Sequence, residues 1–173
     1  GYLPAGSTND FAKSMGISTN IDDAVKAVIN GKPMPCDIGS INGNYFTYIA
    51  AFGAFIEVTY ETPQNIKNVL GHAAYILSGI SKLKNLRSYH VKVTSEELET
   101  EDDFIFGMVT NSSSVAGILS LGEFQCDDGM YEVTLIKTPA NPVELQRIIH
   151  GLLNLDEKLD QRYIISFKTP KLL

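Results

Sequence analysis

Pro4-Ala5-Gly6-Ser7-Thr8-Asn9-Asp10-Phe11-Ala12 stands near the start of this 173-residue chain, a glycine turn crowded with hydroxyl, amide and carboxylate groups. Gly6 reaches backbone angles that other residues resist, and Ser7, Thr8, Asn9 and Asp10 have groups that bond a turn's own amides or hold a ligand. Taken alone, the residues fit a structural turn as well as a site. So little chain precedes them that the stretch reads as the end of an active-site wall.

Downstream, Asn20 is a cap for a helix whose apolar positions are Ile21, Ala24, Val25, Val28 and Ile29, with Asp22 and Asp23 at its positive end. Asn30-Gly31 stops it. Pro33 and Pro35 stiffen a link into Cys36, so residues 32–36 are the expected boundary between a first unit, 1–35, and a second, 36–173. Beyond it the pattern turns to short strands, over 38–41 and 45–50 around an Asn42-Gly43-Asn44 hairpin turn. Residues 52–60 fit strand or helix. After Glu61-Thr62-Pro63, the positions Ile66, Leu70, Ala73, Leu77 and Ile80 lay one apolar face along a helix over 66–83.

Alternation predicts a half-solvated strand at 89–94, and further strands follow at 104–110, 131–136 and 161–168. The acidic run 96–103 reads as a solvated hairpin tip. Asn141-Pro142-Val143-Glu144 combines a cap, a first-turn proline and a reciprocal carboxylate ahead of Leu145, Ile148, Ile149 and Leu152. The expected fold class is mainly β (α+β), with antiparallel sheets and accessory helices.

A hydrophobic content of 44% indicates a folded globular chain, and a net charge of −6 disfavours nucleic acid as a partner. No apolar run is long enough for a spanning helix, and no signal-peptide pattern opens the chain, so a cytoplasmic location is expected. Cys36 and Cys126 lack the neighbours of a zinc site and read as incidental thiols. His72, His90 and His150 are scattered and carry no expected catalytic or metal role.

The run P-A-G-S-T-N-D-F-A resembles the second motif of the bacterial diacylglycerol kinase and YegS-like lipid kinase family. Cys36-Asp37-Ile38-Gly39 resembles that family's aspartate motif, and Cys126-Asp127-Asp128-Gly129-Met130-Tyr131 its acidic-glycine loop. Tyr60-Glu61-Thr62-Pro63 and the helical run after it are similar to the bacterial branch. The resemblance covers essentially the whole chain. It implies a β-sandwich second domain, incomplete at its C-terminal end, preceded by a remnant of an α/β nucleotide-binding domain. The implied activity is ATP-dependent phosphorylation of diacylglycerol or a related lipid alcohol, with magnesium.

By the same resemblance Gly6, Ser7, Thr8, Asn9 and Asp10 lie beside the nucleotide, and Asp37 is the expected catalytic carboxylate. Asp127, Asp128 and Met130 are the expected magnesium site, although the first two also read as a plain glycine-turn loop. Ser7 replaces the family's threonine and keeps its hydroxyl. Gln125 stands where a partner acid is expected and supplies no charge. The family's glycine-rich phosphate loop and late D-G-E segment have no counterpart here, so the chain reads as cut at both ends and inactive by itself. Transient membrane contact is expected, through a basic rim of Lys67, Lys82, Lys84 and Arg87 on a helix that also reads as core cover. A homodimer is compatible with the resemblance. Two alternatives stand beside the lipid kinase: a non-catalytic lipid-binding or interaction module, and a soluble nicotinamide-nucleotide kinase relative.

Overall fold

The computed structural model describes residues 1–6, 9–54, 87–112, 114–115, 119–120, 125–153 and 162–173. Ser7, Thr8, His72, the helix expected over 66–83 and its lysines 67, 82 and 84 lie outside the described residues.

The capped segments fold as their sequences dictate. In α2 (Ile21–Asn30) the Asn20 side chain accepts from the amides of Asp22 and Asp23 at 3.0 and 3.2 Å. In α3 (Pro142–Leu153) Asn141 accepts from Val143 and Glu144, while the Glu144 carboxylate reaches back to the Ala140 amide at 2.8 Å. A short α1 (Asp10–Ser14) begins inside the polar turn, with Asn9 at φ 52 as its cap. That helix was not expected from the sequence.

The main sheet is antiparallel and five-stranded, comprising β3 (Ile49–Gly53), β4 (Tyr89–Thr94), β5 (Glu99–Thr110), β8 (Tyr131–Lys137) and β9 (Ile164–Thr169). Strands β3 and β4 pair with successive halves of β5, and β8 lies on its other edge with β9 outside it. Gly53 ends β3 at φ 92, where a side chain would run into the Ile105 carbonyl. Two ribbons stand apart: β1 (Gly39–Ile41) with β2 (Asn44–Phe46), and β6 (Ser114–Val115) with β7 (Leu119–Ser120). The described residues are thus a mixed α/β assembly of antiparallel sheets with accessory helices, and none of its helices is long and apolar enough to cross a membrane.

Each sheet face carries its own core. Ile105, Phe106, Met108, Ile136 and Ile164 pack under Ile148 and Leu152 of α3. Val93, Phe104, Val133 and Leu135 line the opposite face with Phe52, Phe167 and Leu172. A register shift between Phe104 and Phe106 moves β5 from one alternation to the other.

Two expectations are corrected. The strand expected over 45–50 is two strands in two sheets, because the Tyr48 carbonyl is taken by the Asn111 amide and the Thr110 hydroxyl at 2.9 and 2.8 Å. The acidic run is mostly strand: Glu99–Asp103 belong to β5, and the turn is confined to Ser95–Leu98. Basic partners make that strand tenable, with Glu99 on Lys92 at 3.0 Å, Asp102 on Lys137 at 2.6 Å, and His90 between Asp103 and Glu101.

Candidate active site

Three separated polar segments gather at the C-terminal end of β5. Thr110, Asn111 and Ser112 are fully buried there, and each ties down a different piece of chain. The Ser112 hydroxyl pairs with that of Ser14 at 2.7 Å and so fixes the end of α1. The Asn111 side-chain amide donates to the carbonyls of Asp37 and Cys126 at 3.2 and 3.3 Å. It also lies 3.8 Å from Cys36 Sγ.

Around that clip the Asp37 segment and the acidic loop bind each other directly. The Asp37 amide donates to the Cys126 carbonyl at 2.8 Å, and the Gly129 amide donates to Asp37 Oδ2 at 2.7 Å. Gly129 sits at φ 72, a conformation that suits glycine and lets its N–H face the carboxylate. Asp128 Oδ1 accepts from the Met130 amide at 2.9 Å, and Asp127 Oδ1 from the Gln125 side chain at 3.4 Å. Burial, then the charges of Asp37 and the Cys36 thiolate, push the Tyr131 phenol above its ordinary range. Burial also raises the Cys36 thiol, followed by Cys126, Asp37 and Asp127.

In the N-terminal polar turn, Asn9 Oδ1 accepts from the Gly6 amide at 2.8 Å and closes the turn on itself. Asp10, the first residue of α1, is 5% exposed. Phe11 packs against Tyr2 and Tyr48, with ring centroids 5.2 and 6.2 Å apart, which anchors α1 beside the start of β3. Ile38, Tyr45, Phe46 and Thr47 line a shallow, open apolar depression.

Asn111 was missed in the sequence, where it reads as a turn residue after a strand. Glu132 was missed too. It is 5% exposed in β8, with Oε1 3.0 Å from Lys168 Nζ, and the same ammonium stands 3.9 Å from Asp128 Oδ2. A lone acid in the apolar run Tyr131–Lys137 was the available signal. Among the described residues no three His, Cys, Asp or Glu side chains form a ready metal cage. Asn111 Oδ1 and Glu132 Oε2 are buried and accept no hydrogen bond among the described residues.

Comparison with known proteins bears on this geometry. A model of the diacylglycerol kinase catalytic domain matches residues 1–41. A diacylglycerol kinase of Bacillus subtilis (strain 168) is 36% identical over 168 residues, which cover 96% of this chain and 55% of that protein. The chain matches the bacterial diacylglycerol kinase and YegS-like lipid kinase family. A probable lipid kinase YegS-like protein of Shewanella frigidimarina (strain NCIMB 400) is 35% identical over 137 residues, 79% of this chain and 44% of its own length. The crystal structure of a Bacillus anthracis (strain Sterne) protein assigned as a diacylglycerol kinase superposes with a TM-score of 0.74 at 28% identity. That superposition covers 98% of this chain and 56% of the other. The chain thus spans about half the length of the family members it matches.

Proposed function

We propose that the full-length protein is an ATP-dependent lipid kinase, transferring the γ-phosphoryl group to the hydroxyl of diacylglycerol or a related lipid alcohol. The observation that carries this reading is the convergence of the Asp37 and Asp127–Gly129 motifs on Asn111, next to the Ser112 that holds the end of α1 through Ser14, in a chain whose relatives bear lipid kinase names. On this reading residues 1–35 belong to the α/β nucleotide-binding domain and 36–173 to a β-sandwich domain. The exposure of Ile21, Val28 and Ile29 on α2 supports that division, since an amphipathic helix ordinarily buries its apolar side against another layer.

Phosphoryl transfer needs charge neutralisation, an aligned hydroxyl and an acceptor for its proton. Gly6 lets backbone approach the nucleotide, and Ser7, Thr8, Asn9 and Asp10 supply polar contacts to it. Asp37 uses Oδ2 on Gly129, so its Oδ1 is the oxygen available to align the lipid hydroxyl. The exposed side chains of Ile38 and Tyr45, close to Asp37 in sequence, give an apolar surface that an acyl chain could cover.

The donor set suits magnesium. Asp127 and Asp128 supply carboxylate oxygens, the Met130 carbonyl is a hard donor where its thioether is not, and magnesium retains waters instead of needing a full protein cage. Magnesium would supply charge neutralisation, and these residues would hold it against the Asp37 segment.

Transient contact with a membrane surface follows from the substrate. The test is an incubation of the full-length protein with labelled ATP, magnesium and either diacylglycerol micelles or NAD. Label in the organic phase supports the lipid acceptor. Label only in the aqueous nucleotide overturns it in favour of a nucleotide kinase, and no transfer by folded protein to any lipid alcohol favours a non-catalytic lipid-binding module.

A further inference from the structure

Cys36 and Cys126 are the only cysteines of the 173 residues, and the fold sets them side by side. The 2.8 Å bond from the Asp37 amide to the Cys126 carbonyl puts the backbone next to Cys36 in direct contact with that of Cys126. Cys126 Sγ lies 3.5 Å from the Pro35 carbonyl, on the residue before Cys36, and Cys36 Sγ lies 3.5 Å from the Asp37 carbonyl. The Asn111 amide touches both cysteines, at the sulfur of one and the carbonyl of the other. Both are free thiols and both are partly exposed, so an oxidant reaches them. Bridgeable cysteines have Cα atoms about 4.4–6.8 Å apart, and the Asp37–Cys126 backbone bond brings the two segments that carry the thiols into contact.

We propose that Cys36 and Cys126 are an oxidative modification site, closing a reversible disulfide that bolts the Asp37 segment to the acidic loop. With a hydroperoxide as oxidant, one thiol takes an oxygen to become a sulfenic acid and releases water or an alcohol. The second thiol then attacks that sulfur, forming the S–S bond and releasing water. The two thiols give up two electrons and two protons in all, and a dithiol reagent restores them. Because the bridge spans the Asp37–Gly129 contact, it restricts the loop that must adjust around any bound cation. The inference stands on the cysteine geometry and is independent of the lipid kinase reading.

The experiment treats reduced full-length protein with hydrogen peroxide, blocks remaining thiols with an alkylating reagent under denaturing conditions, and maps the peptides by mass. The expected result is one peptide pair joining Cys36 to Cys126, two hydrogens lighter than the free peptides and separated by dithiothreitol. In Cys36→Ser and Cys126→Ser proteins that pair is lost, and the remaining cysteine is alkylated or carries added oxygen. Amide exchange over 125–130 should slow on oxidation of the wild type alone. The proposal is overturned if both cysteines stay fully alkylatable in the wild type, oxidise separately to oxygen adducts, or bridge only between two chains.

Discussion

Gly129 donates its backbone N–H to the Asp37 carboxylate at 2.7 Å, joining two motifs that lie on opposite sides of the β4–β5 hairpin in sequence. The contact separates two roles of the same side chain. Asp37→Asn keeps an oxygen that accepts the Gly129 amide, so its melting temperature should stay within a degree or two of wild type. Asp37→Ala removes the acceptor and should cost about 1 kcal/mol. Both should lose phosphoryl transfer if the charge is what the reaction uses. Thermal denaturation beside a transfer assay checks both halves, and normal activity in Asp37→Asn would remove the residue from the chemistry.

Gly129 offers a cleaner test of the loop itself. Nothing stands within reach of an added Cβ, so the penalty for Gly129→Ala is set by its φ of 72 alone. About 1–2 kcal/mol is expected from placing alanine there. Asparagine, which tolerates the left-handed region, should cost less, and equal loss in both variants would mean the loop abandons this conformation readily.

Asn111 should be the most sensitive of the polar residues at the junction. It is fully buried and donates to two carbonyls from distant segments. Asn111→Ala removes one donor from each, opens a cavity and leaves, among the described residues, only the Asp37 amide on the Cys126 carbonyl and the Cys36 thiol on the Asp37 carbonyl. A loss of about 2–4 kcal/mol follows, and more for Asn111→Asp, whose carboxylate repels both carbonyls. Urea denaturation of the two variants measures it.

Residues whose partners are close in sequence were legible, and those whose partners are distant were not. Asn20 and Asn141 bond within three residues, so sequence alone located both helices. The break after Phe46 depends on Thr110 and Asn111 seizing the Tyr48 carbonyl, and no local pattern announces it. Charge misled at Glu99–Asp103, because the basic groups that make an acidic strand tenable sit on β4 and β8. The acidic-glycine loop and Asp37 stood out by composition and motif. Their shared clip, Asn111, exists only once the chain is folded.

The exposed His90 tests that charge arrangement. Hydrogen bonds to Asp103 and then Glu101 raise its pKa above the ordinary 6.5. The folded state therefore holds the proton more tightly, and the stabilisation is complete below about pH 6.5 and fades as pH rises through the higher folded value. An NMR titration should give a His90 midpoint above 6.5 that falls back in an Glu101→Gln, Asp103→Asn double variant. Salt should shrink the difference, since all three groups face solvent. A midpoint unchanged by the double substitution would contradict the assigned contacts.

If the Asn9-Asp10 turn, Asp37 and the acidic loop form one phosphoryl-transfer site, Asp10 is the residue at which activity should be lost without the Asp37–Gly129 contact being touched. The measurement is transfer of the γ-phosphoryl group of labelled ATP to diacylglycerol in mixed micelles with magnesium, by full-length wild type and Asp10→Asn, each shown folded by circular dichroism. The account predicts labelled phosphatidate from the wild type and roughly a hundredfold less from the variant. Equal rates from the two proteins, or no transfer by folded wild type to this or related lipid alcohols, would contradict it.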